Sequence, residues 1–254
     1  MTSRWLTLYA VLIYAFLYLP LLVLAVFSFN SSRFTQWEGF SLRWYQAAFA
    51  DAQLVEATVN SLLIAACSTV LTTMAGTLAA YGLWKKPSRW LSNSLSVSLV
   101  TPEIVTGISL VALFQVAFRI FGLPLGMHTV ILAHVSFCLV FVVMVVLARL
   151  RTMDAALEEA ALDLGATPWQ AFREVTLPLL APGILSAALL AFTTSLDDYV
   201  ITSLVAGVDS ETLPMVIYAM ARRGVNPSVN AISTLIVVGL GALILLSQRL
   251  ERQS

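Results

Sequence analysis

Apolar residues run along this chain in long uninterrupted stretches, not in the alternating or half-turn stripes of a water-soluble fold. A helix needs about 18 or more consecutive, mostly apolar residues to cross a hydrocarbon core about 30 Å thick. Stretches of that kind fall at residues 5–27, 58–83, 95–118, 129–148, 183–205 and 231–247. The pattern predicts an all-α membrane protein with six transmembrane helices, whose even count leaves both termini on one side. No linker, low-complexity tract or repeat interrupts it, so residues 1–254 read as one transmembrane domain.

Polar connections set the orientation. With the N-terminus cytoplasmic, the inner segments hold Arg4, Lys85, Lys86, Arg89, Arg149, Arg151, Arg173, Arg249 and Arg252, nine basic residues. The outer ones hold five: Arg33, Arg43, Arg119, Arg222 and Arg223. The positive-inside bias therefore places both termini in the cytoplasm. The first stretch is too long for the apolar region of a secretory signal and five more follow it, so it reads as a retained helix. The composition, 59% hydrophobic and 11% charged, excludes a soluble globular domain. A formal net charge of zero says nothing about partners. Cys67 and Cys138 lie in predicted spans without metal-ligand spacing and read as packing residues.

The outer connection at 28–57 carries Trp37, Trp44 and Tyr45, amphipathic rings suited to the membrane interface. The inner connection at 149–182 is far longer than a turn between helices requires. Within it, Asp154 is placed to cap a helix reaching Leu164, and Gly165 to supply its left-handed stop. Thr167 then caps a second short helix with Pro168 at its first position, continuing through Trp169 and Phe172 until Pro178.

That loop reads EAALDLGATPWQAFREVTLP from Glu159 to Pro178. It resembles the EAA loop of the membrane permeases of bacterial ATP-binding-cassette (ABC) importers. Glu159, Ala160, Ala161, Gly165, Val175, Leu177 and Pro178 fall on the positions of that pattern. The fragments FSFNSSR, TPEIVTGISL, LAHVSFC, SLDDYVI and TLPMVIYAMARRGVNPSVNA extend the likeness to the second permeases of spermidine/putrescine importers, closer to the putrescine type. The resemblance implies a type I importer permease fold and transport by alternating access. It also implies a companion permease in a heterodimer, two copies of a cytoplasmic ABC ATPase and a periplasmic polyamine-binding protein, in the bacterial inner membrane. The second loop helix would be the coupling helix docked on the ATPase, with Trp169 and Phe172 as apolar anchors and Arg173 on the rim. No GxxxxGK[ST] occurs in the chain, so ATP and its Mg would be used by the partner and no cofactor is expected here. Lipid surrounds such a chain, and nucleic acid is not an expected partner.

The remaining chemistry is acidic. Glu103, Asp197 and Asp198 lie inside predicted spans, where an ionised carboxylate costs about 2.5–3.5 kcal/mol on insertion scales unless a partner or wet cavity receives it. Counted along straight helices at 1.5 Å per residue, Glu103 and Asp197 both come roughly 20 Å in, near one layer. Pro102 suggests an interrupted third span at that depth. Neighbouring helical positions diverge by about 100°, so one of Asp197 and Asp198 faces a pathway while the other meets the companion permease or accepts a hydrogen bond from Ser195 or Thr202. Asp197 is the expected pathway acid. The carboxylates would line a passage for a cationic substrate with Tyr199 adding cation–π attraction, pair with Arg119 or with Arg222 and Arg223, or stay protonated as donors. His134 reads as a hydrogen bonder between helices. A passive cation channel would have no use for the EAA loop, and the sequence contexts of an intramembrane aspartyl protease are absent.

Overall fold

The computed structural model describes residues 4–33, 36–122, 124–223 and 227–251. Twelve α-helices stand among them: α1 (Arg4–Phe27), α2 (Arg43–Ala50), α3 (Ala52–Lys85), α4 (Arg89–Val100), α5 (Glu103–Phe121), α6 (Met127–Thr152), α7 (Ala156–Asp163), α8 (Pro168–Ala171), α9 (Leu177–Asp197), α10 (Val200–Val205), α11 (Leu213–Arg223) and α12 (Pro227–Glu251). A π-turn, Phe172–Thr176, joins α8 to α9. The chain forms two compact units, one from Met1–Glu56 and Val216–Leu243, the other from Ala57–Met215 and Ile244–Ser254.

In the first unit, α1 is apolar on every side and none of its span is buried within the chain. The outer loop folds on itself. Trp44, expected at the membrane interface, is instead buried, its indole N–H donating to the Asn30 carbonyl at 2.7 Å with the Arg43 guanidinium 4.5 Å from the ring centre. Trp37 does remain exposed. On α11, Arg222 donates to the Tyr218 hydroxyl at 2.8 Å. Asn226, which the sequence offers as a cap before Pro227 at the start of the last helix, lies outside the described residues.

The second unit is built on α3, α6 and α9. Helix α3 presents Ser68, Thr72, Gly76 and Ala80 at four-residue intervals, all buried. Small residues at that spacing let two backbones approach closely, which matters where lipid is as apolar as leucine and only packing distinguishes partners. Ala80 meets Cys138, Val142, Val143, Val146 and Leu150 of α6 and Leu180, Ala187 and Ala191 of α9 in one core. A second cluster joins Ile64, Phe114, Val130, Ala133, Ile201 and Val205.

Among the described residues, four helices are long and apolar enough to cross a bilayer, and α4 with α5 makes a fifth span if the bent pair is counted as one. The run at 231–247 lies in α12, whose described apolar part, Pro227–Ala242, is shorter than a full crossing. Two expected spans are broken. Helices α4 and α5 meet at 110° because Pro102 has no N–H to continue the ladder and holds Thr101 extended at φ −68°, ψ 126°. The straight-helix depth of Glu103 therefore does not hold. The fifth run breaks at Asp198, again extended, so that α9 ends at Asp197 and α10 begins at Val200.

A Cβ on Gly76 would lie 2.6 Å from Val142 Cγ1 and 2.9 Å from its Cβ, whereas one on Gly82 would meet nothing within 4 Å. Gly76→Ala is expected to destabilise the purified protein by about 1–3 kcal/mol. Gly82→Ala should be neutral or stabilising by up to about 1 kcal/mol through helix propensity. Thermal unfolding in detergent, followed by size-exclusion chromatography, measures the difference.

Candidate functional site

The break after α9 separates two adjacent acids. Asp197 ends the helix with its side chain exposed, while Asp198 turns inward and is 8% exposed. Asp198 Oδ2 accepts from the Thr202 N–H at 2.8 Å and from the Thr202 hydroxyl at 2.7 Å, and Oδ1 accepts from the Ile201 N–H at 3.3 Å. The carboxylate thus satisfies backbone donors that the break leaves open, in a region with no water to do so.

His134 of α6 closes the arrangement. Its Nε2 lies 2.9 Å from Thr202 Oγ1 and 3.4 Å from Asp198 Oδ2, and its Nδ1 lies 2.6 Å from Ser195 Oγ. Ser195 Oγ is 3.0 Å from Ser68 Oγ, which donates to the Ile64 carbonyl at 2.6 Å. The Nε2 edge of the ring thus faces Thr202 and the Asp198 carboxylate, and the Nδ1 edge faces the paired hydroxyls of Ser195 and Ser68. The network ties α3, α6, α9 and α10 together. Of the two donors expected for the inward acid, Thr202 is the one used, and Ser195 turns to His134.

Glu103 is exposed as the first residue of α5. Helices α5 and α10 approach closely at Gly107, where a Cβ would lie 2.6 Å from Leu204 Cδ1 and 3.6 Å from Ile201 Cα. Asp197 and Glu103 each stand at the break of an expected span, Asp197 ending α9 and Glu103 opening α5. Among the described residues, neither Glu103 nor Asp197 has a basic side chain within ion-pair distance. The side chain of Arg119 lies outside the described residues. Tyr199 is half-buried between α9 and α10.

On the other side of the chain, the loop follows its predicted caps. Asp154 Oδ1 accepts from the Ala156 N–H at 3.0 Å. Gly165 takes φ +91°, with the Gly165 N–H bonded to the Leu162 carbonyl and the Ala166 N–H to that of Ala161. Thr167 and Gln170 form a capping box with Pro168 at the first position. Glu159, Ala160, Pro168, Arg173 and Pro178 are exposed, and Ala161 and Leu177 half-buried.

Two expectations are corrected here. Pro178 does not end the second loop helix: the chain stays helical from Pro168 to Asp197. The proline ring would strike the carbonyl four residues back, and the π-turn shifts the register to relieve it, the Leu177 N–H reaching the Phe172 carbonyl. Phe172 is not an outward anchor. It is 5% exposed, its ring 4.6 Å from that of Tyr81, while Trp169 beside it is 62% exposed.

Sequence reasoning missed Glu158, which is 4% exposed. Its Oε1 accepts from Lys85 Nζ at 2.8 Å and the Tyr81 hydroxyl at 2.7 Å, and its Oε2 from the Thr176 hydroxyl at 2.9 Å. Burial pushes this carboxyl up, but the bonds from Lys85, Tyr81 and Thr176 outweigh it and hold the group below its usual 4.5. Nothing in the local pattern marks Glu158 over Glu159. Only the fold brings Lys85 to it, across 73 positions of chain.

Comparisons with known proteins follow the same lines. The profile of the family described as binding-protein-dependent transport system inner membrane component matches residues 72–252. The putrescine transport system permease protein PotI of Escherichia coli K12 is 44% identical over 246 residues, covering 94% of this chain and 88% of that protein. The spermidine/putrescine transport system permease protein PotC of Haemophilus influenzae is 39% identical over 246 residues, covering 95% and 94%. Among solved structures, a bacterial ABC transporter that imports the acidic polysaccharide alginate superposes with a TM-score of 0.78 at 18% identity, over 98% of this chain and 95% of that one. The inward-facing MetNI methionine ABC transporter gives 0.65 at 22%, over 79% and 95%. At these identities the superpositions speak for the fold alone.

Two measurements test the geometry. Asp198→Ala removes the cap and the carboxylate that His134 faces, and is expected to cost about 2–4 kcal/mol of stability, whereas Asp197→Ala should cost under about 0.5 kcal/mol; unfolding in detergent compares them. Because the Glu158 pKa is lowered, its contribution is complete above 4.5 and is lost as pH falls through the depressed value. Protection factors at Ala156–Asp163, taken relative to the intrinsic exchange rate at each pH, should therefore hold constant from neutral pH down to about 5 and fall only below 4.5, with that acid limb weakened in Glu158→Gln.

Proposed function

Because the chain belongs to the family of binding-protein-dependent transport system inner membrane components, we propose that it is one permease subunit of an ATP-driven polyamine importer, with putrescine as the favoured cargo. The observation that carries the cargo assignment is the pair of exposed carboxylates, Glu103 and Asp197, set at two helix breaks with no base among the described residues against either. A diamine brings the counter-charges that the protein withholds. A neutral or anionic cargo would leave both acids without a counter-charge. The permeases named above for putrescine and for spermidine/putrescine support the same reading, since each matches nearly the whole chain.

In this reading the two acids act differently. Asp198 is held by His134 and Thr202 and keeps the break in shape, while Asp197 and Glu103 meet the ammonium groups, with the half-buried Tyr199 ring beside them for cation–π attraction. A periplasmic binding protein delivers cargo to the outer face. A companion permease supplies the other half of the pathway. Two cytoplasmic ATPase subunits bind and hydrolyse ATP with its Mg, and the exposed Trp169 on α8 docks against one of them. The chain crosses the inner membrane several times with both termini in the cytoplasm, as the distribution of Lys and Arg supports.

Replacing both pathway acids, Glu103→Gln with Asp197→Asn, is expected to lower uptake of radiolabelled putrescine by the reconstituted complex at least roughly tenfold, the scale of losing charge-assisted contacts. The ATPase should co-purify as with the unaltered chain. Unchanged uptake would sink the cargo assignment.

A further inference from the structure

Glu158 stands one residue ahead of the matched EAA positions, yet among the described residues of the loop it is the buried acid; Asp154, Glu159, Asp163 and Glu174 are exposed. Both of its oxygens are occupied, and their donors come from two places. Lys85 and Tyr81 belong to the last turns of α3, and Thr176 closes the π-turn. An aromatic file runs alongside: Trp169 lies 5.5 Å from Phe172, Phe172 4.6 Å from Tyr81, and Tyr81 6.0 Å from Trp84, over whose ring the Lys85 ammonium sits at 4.8 Å. The segment bearing Trp169 is thus joined to the membrane helices twice, by covalent continuity into α9 and by this node onto α3.

We propose that Glu158 is a positioning residue for energy coupling: its carboxylate fastens the α8 segment to the inner end of α3, so that a displacement imposed at Trp169 reaches α3 as well as α9. This rests on the reading of α8 as the ATPase-docking segment. A buried carboxylate with three charge-assisted or hydroxyl donors gives way less readily than an exposed ion pair, so the node moves as a block. Held below its usual 4.5, the carboxyl stays ionised through the physiological range, and the fastening is permanent rather than pH-switched. The hydrogen bonds to Tyr81 and Thr176 survive in a glutamine, whose shape matches. Glu158→Gln therefore removes the charge and leaves the packing.

The test uses the complete complex with ATPase, companion permease and binding protein in proteoliposomes. Putrescine molecules taken up per ATP hydrolysed are expected to fall roughly tenfold in Glu158→Gln, the scale of one charge-assisted bond. The double exchange Lys85→Glu with Glu158→Lys should recover much of the ratio, because the Tyr81 and Thr176 hydroxyls accept from an ammonium as readily as they donate to a carboxylate. Should Glu158→Gln fail to assemble, Lys85→Met, made at the half-exposed partner, is expected to give the same fall. Uptake and hydrolysis declining in proportion would assign the residue to stability alone and overturn the proposal. Hydrogen exchange on the vanadate-trapped complex gives an independent reading: protection should change at the inner ends of both α3 and α9 in the unaltered chain and at α9 alone in Glu158→Gln. An equal response at both helices in the variant also overturns it. Trp169→Ala separates the two layers of the argument: loss of the ATPase upholds the docking segment, whereas full retention with normal stimulation removes that reading whatever Glu158 does.

Discussion

A bilayer offers no water to an open backbone amide, and the organisation of this chain follows from how it meets that constraint at two deliberate breaks. At the first, Pro102 contributes no N–H, and the Thr101 N–H and hydroxyl both return to the Val97 carbonyl, at 3.0 and 2.8 Å. At the second there is no proline to absorb the loss, and the open amides of Ile201 and Thr202 are met by the Asp198 carboxylate. A charge placed there requires its own answer, which is His134, and His134 in turn orders Ser195 and Ser68. The buried polar file across four helices is therefore a consequence of breaking the fifth run at one residue.

The same break decides what Asp197 does. With Asp198 committed inward, the extended backbone at φ −66°, ψ 126° leaves Asp197 exposed and outside the hydrogen-bonded file. Two acids adjacent in sequence acquire unrelated duties from a single change of backbone conformation. That division was legible in part: the 100° divergence of neighbours demanded it, and Thr202 at four residues' distance was a natural donor. Which acid turned inward depended on His134, sixty-four positions away, and no local pattern carries that information.

The elements were legible where one residue settles the backbone alone. Gly165 supplied a positive φ and Thr167 with Gln170 a cap, both from short-range chemistry. Pro178 misled because its ordinary meaning is an ending. Here a five-residue π-turn absorbs the clash, since the apolar face of α9 gains more by remaining in register with α6 than the helix loses at one turn. Phe172 misled for a related reason: spacing marks it as part of an apolar face, but only the position of Tyr81 decides that the face looks inward.

The continuity past Pro178 bears on how force crosses the protein. Thirty residues of helix from Pro168 to Asp197 span about 45 Å, with exposed Trp169 near one end and Asp197 at the other. A straight helix transmits displacement along its axis without needing a chain of intermediates. Its weak point is the π-turn, where the hydrogen-bond ladder changes register, and that is where Thr176 is held by Glu158. Pro182 lies beyond it and is half-buried. The fastening thus sits where the helix would otherwise flex, so that in the proposed coupling a push at Trp169 would reach Asp197 as a shift of the break and not as bending within the loop.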